Sequence, residues 1–144
     1  MPDVLSIETV LVPWIAAREP RLAAKFFPMN ASPPTAGPYA TFFRVSTTRY
    51  GHLKGRTGVT RARLQLDIWS QSHAEARSIA DKIAGTESDL GLDGFRGLMG
   101  AVNVQTAMRE DEAEDFTDPD DGTERGWYRV RADYIFVWNE RTGS

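Results

Sequence analysis

The stretch RLQLDIWSQSHAEARSIADKIAG, residues 63–85, changes its hydrophobic period near the middle. Leu64, Leu66 and Ile68 recur at every second residue, which is the period of a strand with one buried face. After Ser72 the apolar residues recur at helical spacing, and they are Ala76, Ile79, Ala80 and Ile83. We therefore expect a strand that runs almost directly into a helix, with the helix laid back across the sheet.

Polar residues delimit this predicted helix. Ser72 and Glu75 have the S-x-x-E spacing of a capping box, in which each side chain can bind a free amide at the helix start. Gly85 supplies a favourable stop, because glycine readily adopts the backbone conformation that ends a helix. The sequence therefore predicts a helix between these two signals.

The chain before this unit predicts a hairpin. Two alternating stretches, residues 39–51 and 59–69, flank the glycine-rich segment GHLKGRTG at residues 51–58. The alternation of the second stretch places Ala62, Leu64, Leu66 and Ile68 inward. It places Arg61, Arg63, Gln65 and Asp67 on the wetter face.

The remaining segments supply a first helix and further strands. Ser6 can cap a helix that Pro13 kinks or restarts, and Phe26 with Phe27 forms a short extended piece. Residues 91–100 predict a turn-rich connection, and residues 127–140 predict the last strand. Between them, residues 101–108 alternate, with Val102, Val104, Thr106 and Met108 on one face.

These elements predict an α+β fold in a single domain over residues 1–144. We expect a mixed, mostly antiparallel sheet of four to five strands, with two helices packed on one face. The second half of the last strand is apolar on both sides, so it is either a central strand covered by a helix or a subunit contact.

Charge is segregated along the chain, although the net charge is only −3. Residues 44–63 contain six basic side chains and no acidic one, whereas residues 110–124 contain nine acidic side chains and no basic one. We expect the acidic segment to be a solvated, flexible loop, since a run of like charges repels itself. Such segregation can also orient a partner.

No motif predicts catalysis, a metal site or a cofactor. The chain has no cysteine, and His52 and His73 fit no ligand pattern. Lys54 precedes Gly55 and a strand follows, which favours a hairpin tip over a phosphate-binding loop. The DPDDG sequence at residues 118–122 lacks the ligand alternation of an EF-hand. We therefore expect neither an enzyme nor a membrane protein, but a product of the cytoplasm or one assembled there into something larger.

With these elements in order, the chain resembles the phage tail completion family, also described as tail terminator or head–tail joining proteins of long non-contractile tails. Asp67, Ile68 and Trp69 close an alternating strand before an alanine-rich helix, and Trp138 lies near the end of the last strand, as in that family. The hairpin tip GHLKGRTG and the segment at residues 21–46 also carry the likeness, which covers nearly the whole chain.

The resemblance implies a structural virion protein that forms a homomeric ring, commonly a hexamer, at the head-proximal end of the tail tube. Its partners would be the tail tube protein, a head connector or stopper, and DNA that passes without sequence recognition. Ring closure needs two different patches on each subunit. We expect neighbour contacts to use strand edges and a set of basic and apolar residues, namely Lys54, Arg56, Arg61, Arg63, Trp69, Ile135 and Val137.

Two placements are open for the acidic segment besides a solvated loop. It can meet basic residues of the adjacent subunit, or it can face the lumen and repel DNA phosphates. The residues concerned are Glu110, Asp111, Glu112, Glu114, Asp115, Asp118, Asp120 and Asp121. Two alternative functions also stay open, namely another neck component, such as a connector adaptor or stopper, and a small α+β enzyme or ligand-binding domain.

Overall fold

The computed structural model describes residues 6–28, 38–52, 55–117 and 126–139. Within them the order of elements is α1 (Ile7–Arg18), a 3₁₀ turn (Pro20–Leu22), β1 (Phe26–Pro28), β2 (Tyr39–His52), β3 (Gly55–Ser70), α2 (His73–Ala84), β4 (Gly97–Met99), β5 (Val102–Thr117) and β6 (Trp127–Asn139). The α+β class predicted from the sequence is confirmed.

The strands form one six-stranded sheet in the order β1-β2-β3-β6-β5-β4. β1 pairs parallel with β2, and every other neighbouring pair is antiparallel. Two long hairpins, β2–β3 and β5–β6, therefore make up most of the sheet, with β3 and β6 at its centre. The sheet has one strand more than the upper limit we predicted, because β4 forms within the connection expected to be only turns.

The strand–helix unit is confirmed, with a different cap at its helix start. The Ser72 hydroxyl accepts from the Glu75 amide at 3.3 Å, as a capping box requires. The Glu75 carboxylate, however, accepts from the Ser70 hydroxyl at 2.7 Å, and the Ser70 oxygen in turn accepts from the Ser72 amide. Gly85 ends the helix at φ +85°, and a Cβ there would lie 2.2 Å from the Gly91 nitrogen. Glycine is required at this turn for both reasons.

Both helices pack on one face of the sheet, as predicted. Ile7, Leu11 and Ile15 of α1 are fully buried, and α1 is a single helix that continues through Pro13. Pro13 is exposed, so the backbone bond that proline removes lies on the solvent side of the helix. The core beneath the helices also contains the inward residues of β3 and β6, which include Leu64, Leu66, Ile68, Tyr134, Phe136 and Trp138.

β5 corrects two expectations. A bulge between Val104 and Thr106 inserts one residue into the strand, so that Ala107 is buried and Met108 is 48% exposed, opposite to the predicted alternation. The strand then continues through residues 110–117, which we expected to be a loop. Pairing with β6 stabilises this acidic stretch as a strand, because basic side chains of β6 and α2 lie beside it. Residues 118–125 lie outside the described residues.

The two hairpins end at opposite ends of the sheet. β3 begins to pair with β6 at Val59, beside Asn139, and its pairing ends at Ser70, beside Tyr128. The intervening residues span about 36 Å. β2 and β3 extend past β6 at the first end, which we call the basic end. β5 stops at Thr117 at the second end, which we call the acidic end. Among the described residues the two charged segments therefore lie toward different ends of the sheet and meet at Arg63 and Glu110.

Candidate assembly surface

The second face of the sheet is uncovered by any helix in the described part of the chain, and we call it the open face. The strand register shows which residues lie on the open face. They alternate with the buried residues of the helix-covered face, which are Leu64, Leu66 and Ile68 of β3 and Val130, Ala132 and Tyr134 of β6. Five of the seven predicted contact residues lie on this face, and they are Arg61, Arg63, Trp69, Ile135 and Val137. Of the other two, Lys54 and the side chain of Arg56 lie outside the described residues.

Aromatic rings gather on the open face near the acidic end. Trp69 stacks on Tyr39 with the two planes at 7° and the ring centroids 6.0 Å apart, and Trp127 meets Tyr39 edge-on. The Arg129 guanidinium lies 5.3 Å from the Trp69 ring centroid and donates to the Asp115 carboxylate. These contacts leave Trp69 only half-buried, so part of its ring is available to a partner.

Asp67, which we predicted to be on a wetter face, is buried beside this aromatic group at 4% exposure. The Gln65 amide donates to both carboxylate oxygens at 3.1 Å. Burial raises the pKa of Asp67, although Gln65, Arg129 and Arg131 act in the opposite direction. The pKa of the neighbouring Tyr39 is also raised, by burial and by the Asp67 charge.

Because the folded state raises the pKa of Asp67, the ionised carboxylate opposes folding at neutral pH. Asp67→Asn is therefore expected to increase the free energy of unfolding at pH 7. The gain should shrink as the pH falls through the pKa of folded Asp67, since the wild-type side chain then becomes neutral as well. Urea denaturation at a series of pH values measures both effects.

Asp115→Asn is the matched control for this substitution. Hydrogen bonding and charge from Arg129 lower the pKa of Asp115, so its ionised form favours folding and is lost as the pH falls. The same change of carboxylate to amide should therefore decrease stability at pH 7. A loss of stability for Asp67→Asn at pH 7 would contradict the assignment of Asp67 as a group penalised by burial.

Arg63 is committed to contacts within its own subunit. Its guanidinium donates to Asp133 at 2.8 Å and lies 3.4 Å from Glu110. Ile135 pairs between Arg63 and Met108 and is only 5% exposed, so it is less available than the sequence suggested. Arg61 is exposed, and its register neighbours are Thr48 and Val137.

The described acidic residues are divided between the two faces of β5. Asp115 and Glu110 meet arginines of the open face, whereas Glu112 and Glu114 turn toward α2, where Arg77 Nη1 lies 2.7 Å from Glu112 and 3.2 Å from Glu114. Arg77 also binds Asp81 of its own helix at 2.7 Å. The hydrogen bond from Arg77 lowers the pKa of Glu112.

The other predicted acidic residues have no arginine partner among the described residues. Asp111 is exposed and accepts a hydrogen bond from the Glu112 amide. Asp118, Asp120 and Asp121 lie outside the described residues.

Arg77 is a contact residue for which the sequence offered no signal. It lies outside the apolar stripe of α2, and only the pairing of β5 with β6 brings Glu112 and Glu114 to it. Glu112 and Glu114 reach Arg77 because residues 110–117 form a strand. The acidic composition of that segment had instead predicted a loop.

A cleft of about 660 Å³ lies on the helix side, away from the open face. It is lined by Trp14, Ala17, Arg18, Leu90, Gly91, Gly94, Phe95 and Arg96. Trp14 and Phe95 meet edge-on in its wall, and Arg18 is held by Asp89 at 3.0 Å. This lining contains neither a carboxylate nor a histidine for acid–base chemistry.

The described residues contain no group of three or more potential metal ligands. None of their helices is long and apolar enough to cross a membrane. The open, ion-paired face is therefore the candidate surface for assembly, as in the class of structural proteins.

Comparison with known proteins supports this class. The family model for tail completion protein gp17 matches residues 16–135, and the chain belongs to that family. It is therefore a structural component of the bacteriophage virion tail. A chain of the solved structure titled virion of native gene transfer agent (GTA) particle has the same fold, with a TM-score of 0.58 and 10% sequence identity, over 92% of this chain and 97% of that chain. No curated protein matches the sequence.

Proposed function

We propose that the protein forms a closed homomeric ring, a hexamer, at the head-proximal end of the tail tube. The ring ends polymerisation of the tube and presents its other side to the head connector or stopper, and DNA passes through it without sequence recognition. The protein acts by shape and charge alone and makes or breaks no bond. It is assembled in the host cytoplasm.

The observation that carries the proposal is a division of charge along the sheet among the described residues. Arg49 and Arg61 lie toward one end and the acidic residues within 111–115 lie toward the other, and the two groups meet at the Arg63–Glu110 pair. A closed ring needs two different patches on each subunit, and the rotation between neighbours must bring one patch against the other. Opposite charges on opposite ends supply such a pair. The family and the fold of a virion component support the location of the ring.

Particles produced without this protein test the proposal. We expect tails that are overlong or unattached to heads, visible by electron microscopy. Attached tails of normal length would contradict it. Tails of normal length that fail to attach would instead favour the alternative of another neck component, which joins without ending the tube.

The open face provides a second test through Arg61. Its exposed guanidinium allows a charge reversal with little effect on folding, whereas Arg63→Glu would place a third carboxylate beside Asp133 and Glu110. We expect Arg61→Glu to weaken subunit association by about tenfold or more, since like charges brought together at an interface are costly. Light scattering measures the oligomer.

Lys82→Glu is the control, because it makes the same charge change at an exposed position of α2 on the helix side. It should leave association unchanged. Equal assembly of the wild type and the Arg61→Glu variant would remove Arg61 from the interface.

A further inference from the structure

The two outer sides of the sheet are only partly covered. β1 pairs with Ala40, Thr41 and Phe42 of β2, and among the described residues no backbone partner follows for residues 43–48 on that side. β4 pairs with residues 102–104 of β5, after which Gly94 and Phe95 exchange hydrogen bonds with Ala107. Among the described residues, no strand follows along residues 110–117 on that side. Such edges present free amides and carbonyls to another chain. Within residues 110–117 the Glu112 amide is an exception, since it donates to the Asp111 carboxylate.

The two edges have the directions that a joint requires. β2 and β5 lie on opposite sides of the central strands β3 and β6, and they run in opposite directions because each step across the sheet is antiparallel. Subunits related by a rotation that keeps the strand direction would therefore place β5 of one copy antiparallel to β2 of the next. Antiparallel pairing is the slightly more stable arrangement.

Charge distinguishes this joint from pairing of like edges. Residues 110–117 of β5 include five acidic side chains, whereas residues 43–48 of β2 include no acidic side chain and one basic side chain, Arg44, which binds Glu8 on the covered face. Two β5 edges placed together would bring the acidic residues of both copies into contact, which is destabilising between neighbouring strands. A β5 edge against a β2 edge avoids that repulsion.

Residues 43–48 and 110–117, which have no strand partner on their outer side among the described residues and are called the free stretches below, also determine the offset between the two copies. Phe43 and Asp111 lie in one row across the sheet, through Gln65 and Asp133. From this row, the free residues of β2 run toward the basic end and those of β5 run toward the acidic end. They overlap only if the next copy is shifted by about five residues, or about 17 Å. Tilted strands in closed sheets have a stagger of this kind.

We infer that the β5 edge at residues 110–117 pairs antiparallel with the β2 edge at residues 43–48 of the next copy, with this stagger. The ring would then contain one continuous sheet. The inference rests on the proposed ring and specifies which surfaces close it.

Cysteine cross-linking tests the joint cleanly because the chain has no native cysteine. Ser46 and Ala113 are small open-face residues within the two free stretches. Tails assembled with a Ser46→Cys and Ala113→Cys double variant should give, after oxidation, a ladder of cross-linked chains up to the ring copy number. Thr48→Cys with Ala113→Cys covers the neighbouring register.

Two controls separate this joint from other contacts. Gln65→Cys with Ala113→Cys places one thiol on the interior strand β3, and it should give no ladder unless open faces contact each other. Ala113→Cys alone should give no dimer, since a dimer would mean that like edges pair. Either product would overturn the inference.

The remaining outcomes distinguish the joint from the proposed function. If the double variants are present in purified tails and stay monomeric after oxidation in both registers, the edge joint is wrong and the ring proposal is unaffected. If the wild-type chain is missing from the neck of purified particles, the proposed function itself is wrong.

Discussion

Replacing Trp138 by alanine is expected to lower the free energy of unfolding by about 3–5 kcal/mol. The indole is fully buried under the helices on the central strand β6, where its residue pairs with Thr60 on one side and Val104 on the other. The Arg44 guanidinium lies 5.3 Å from the ring centroid, so the substitution also removes a cation–π contact. Because domains of this size have about 5–15 kcal/mol of stability, the variant should be close to unfolding.

Urea denaturation measures this loss, and Val137→Ala provides the matched control. Val137 is the preceding residue of the same strand, but it is half-buried on the open face. Its truncation should cost less than half as much, since less apolar area returns to water. Similar losses for the two variants would mean that both faces of β6 are covered in the isolated chain.

Replacing Arg77 by methionine is expected to lower the free energy of unfolding by about 1–2 kcal/mol. Methionine keeps most of the apolar stem and helix propensity, so the change mainly removes the charged bonds to Glu112, Glu114 and Asp81. Arg109 still binds Glu112 at 2.7 Å in the variant, so the loss is that of one of two arginine partners. The effect should decrease at low pH, because the pKa of Glu112 is lowered in the folded state and its stabilising charge is lost as the pH falls.

Lys82→Met is the control for Arg77, since it removes a charge from the same helix with the same new side chain. Lys82 Nζ lies 3.4 Å from Asp89 in an exposed pair, and such pairs contribute about 0–1 kcal/mol. A double variant that combines Arg77→Met with Glu112→Gln should be less destabilised than the two single changes predict together. Additive effects would show that Arg77 and Glu112 do not act as a pair.

The strand–helix unit was predictable because its local signals agree with its tertiary position. Leu64, Leu66 and Ile68 alternate, the Ser72 hydroxyl caps the helix, and Gly85 ends it, all as the sequence indicated. Each of these preferences acts within a few residues of chain.

β5 was less predictable for two physical reasons. The first bulge moves the side chains from Thr106 to Arg109 to the other face, and a second bulge before Asp111 restores the original alternation. No pattern in residues 101–108 marks the inserted residue. The acidic residues repel one another in an isolated segment, so their composition favours a loop. Arg129, Arg77 and Arg63 come from three other elements, and only the assembled sheet places them beside Asp115, Glu112 and Glu110.

The candidate surface shows the same division. Alternation placed Arg61, Arg63, Trp69, Ile135 and Val137 on faces of their own strands, and the family resemblance indicated assembly. The sequence did not reveal that Ile135 is covered, that Asp67 is buried, or that Arg63 binds Asp133. Those facts depend on neighbours from other strands.

Periodicity, capping and charge are local properties of the chain, so the class of fold, the strand–helix unit and the segregation of basic from acidic residues could be read from the sequence. The partners of the acidic residues and the buried face of β5 emerged only from the folded chain. Those properties depend on strand order and register, which bring together residues far apart in sequence.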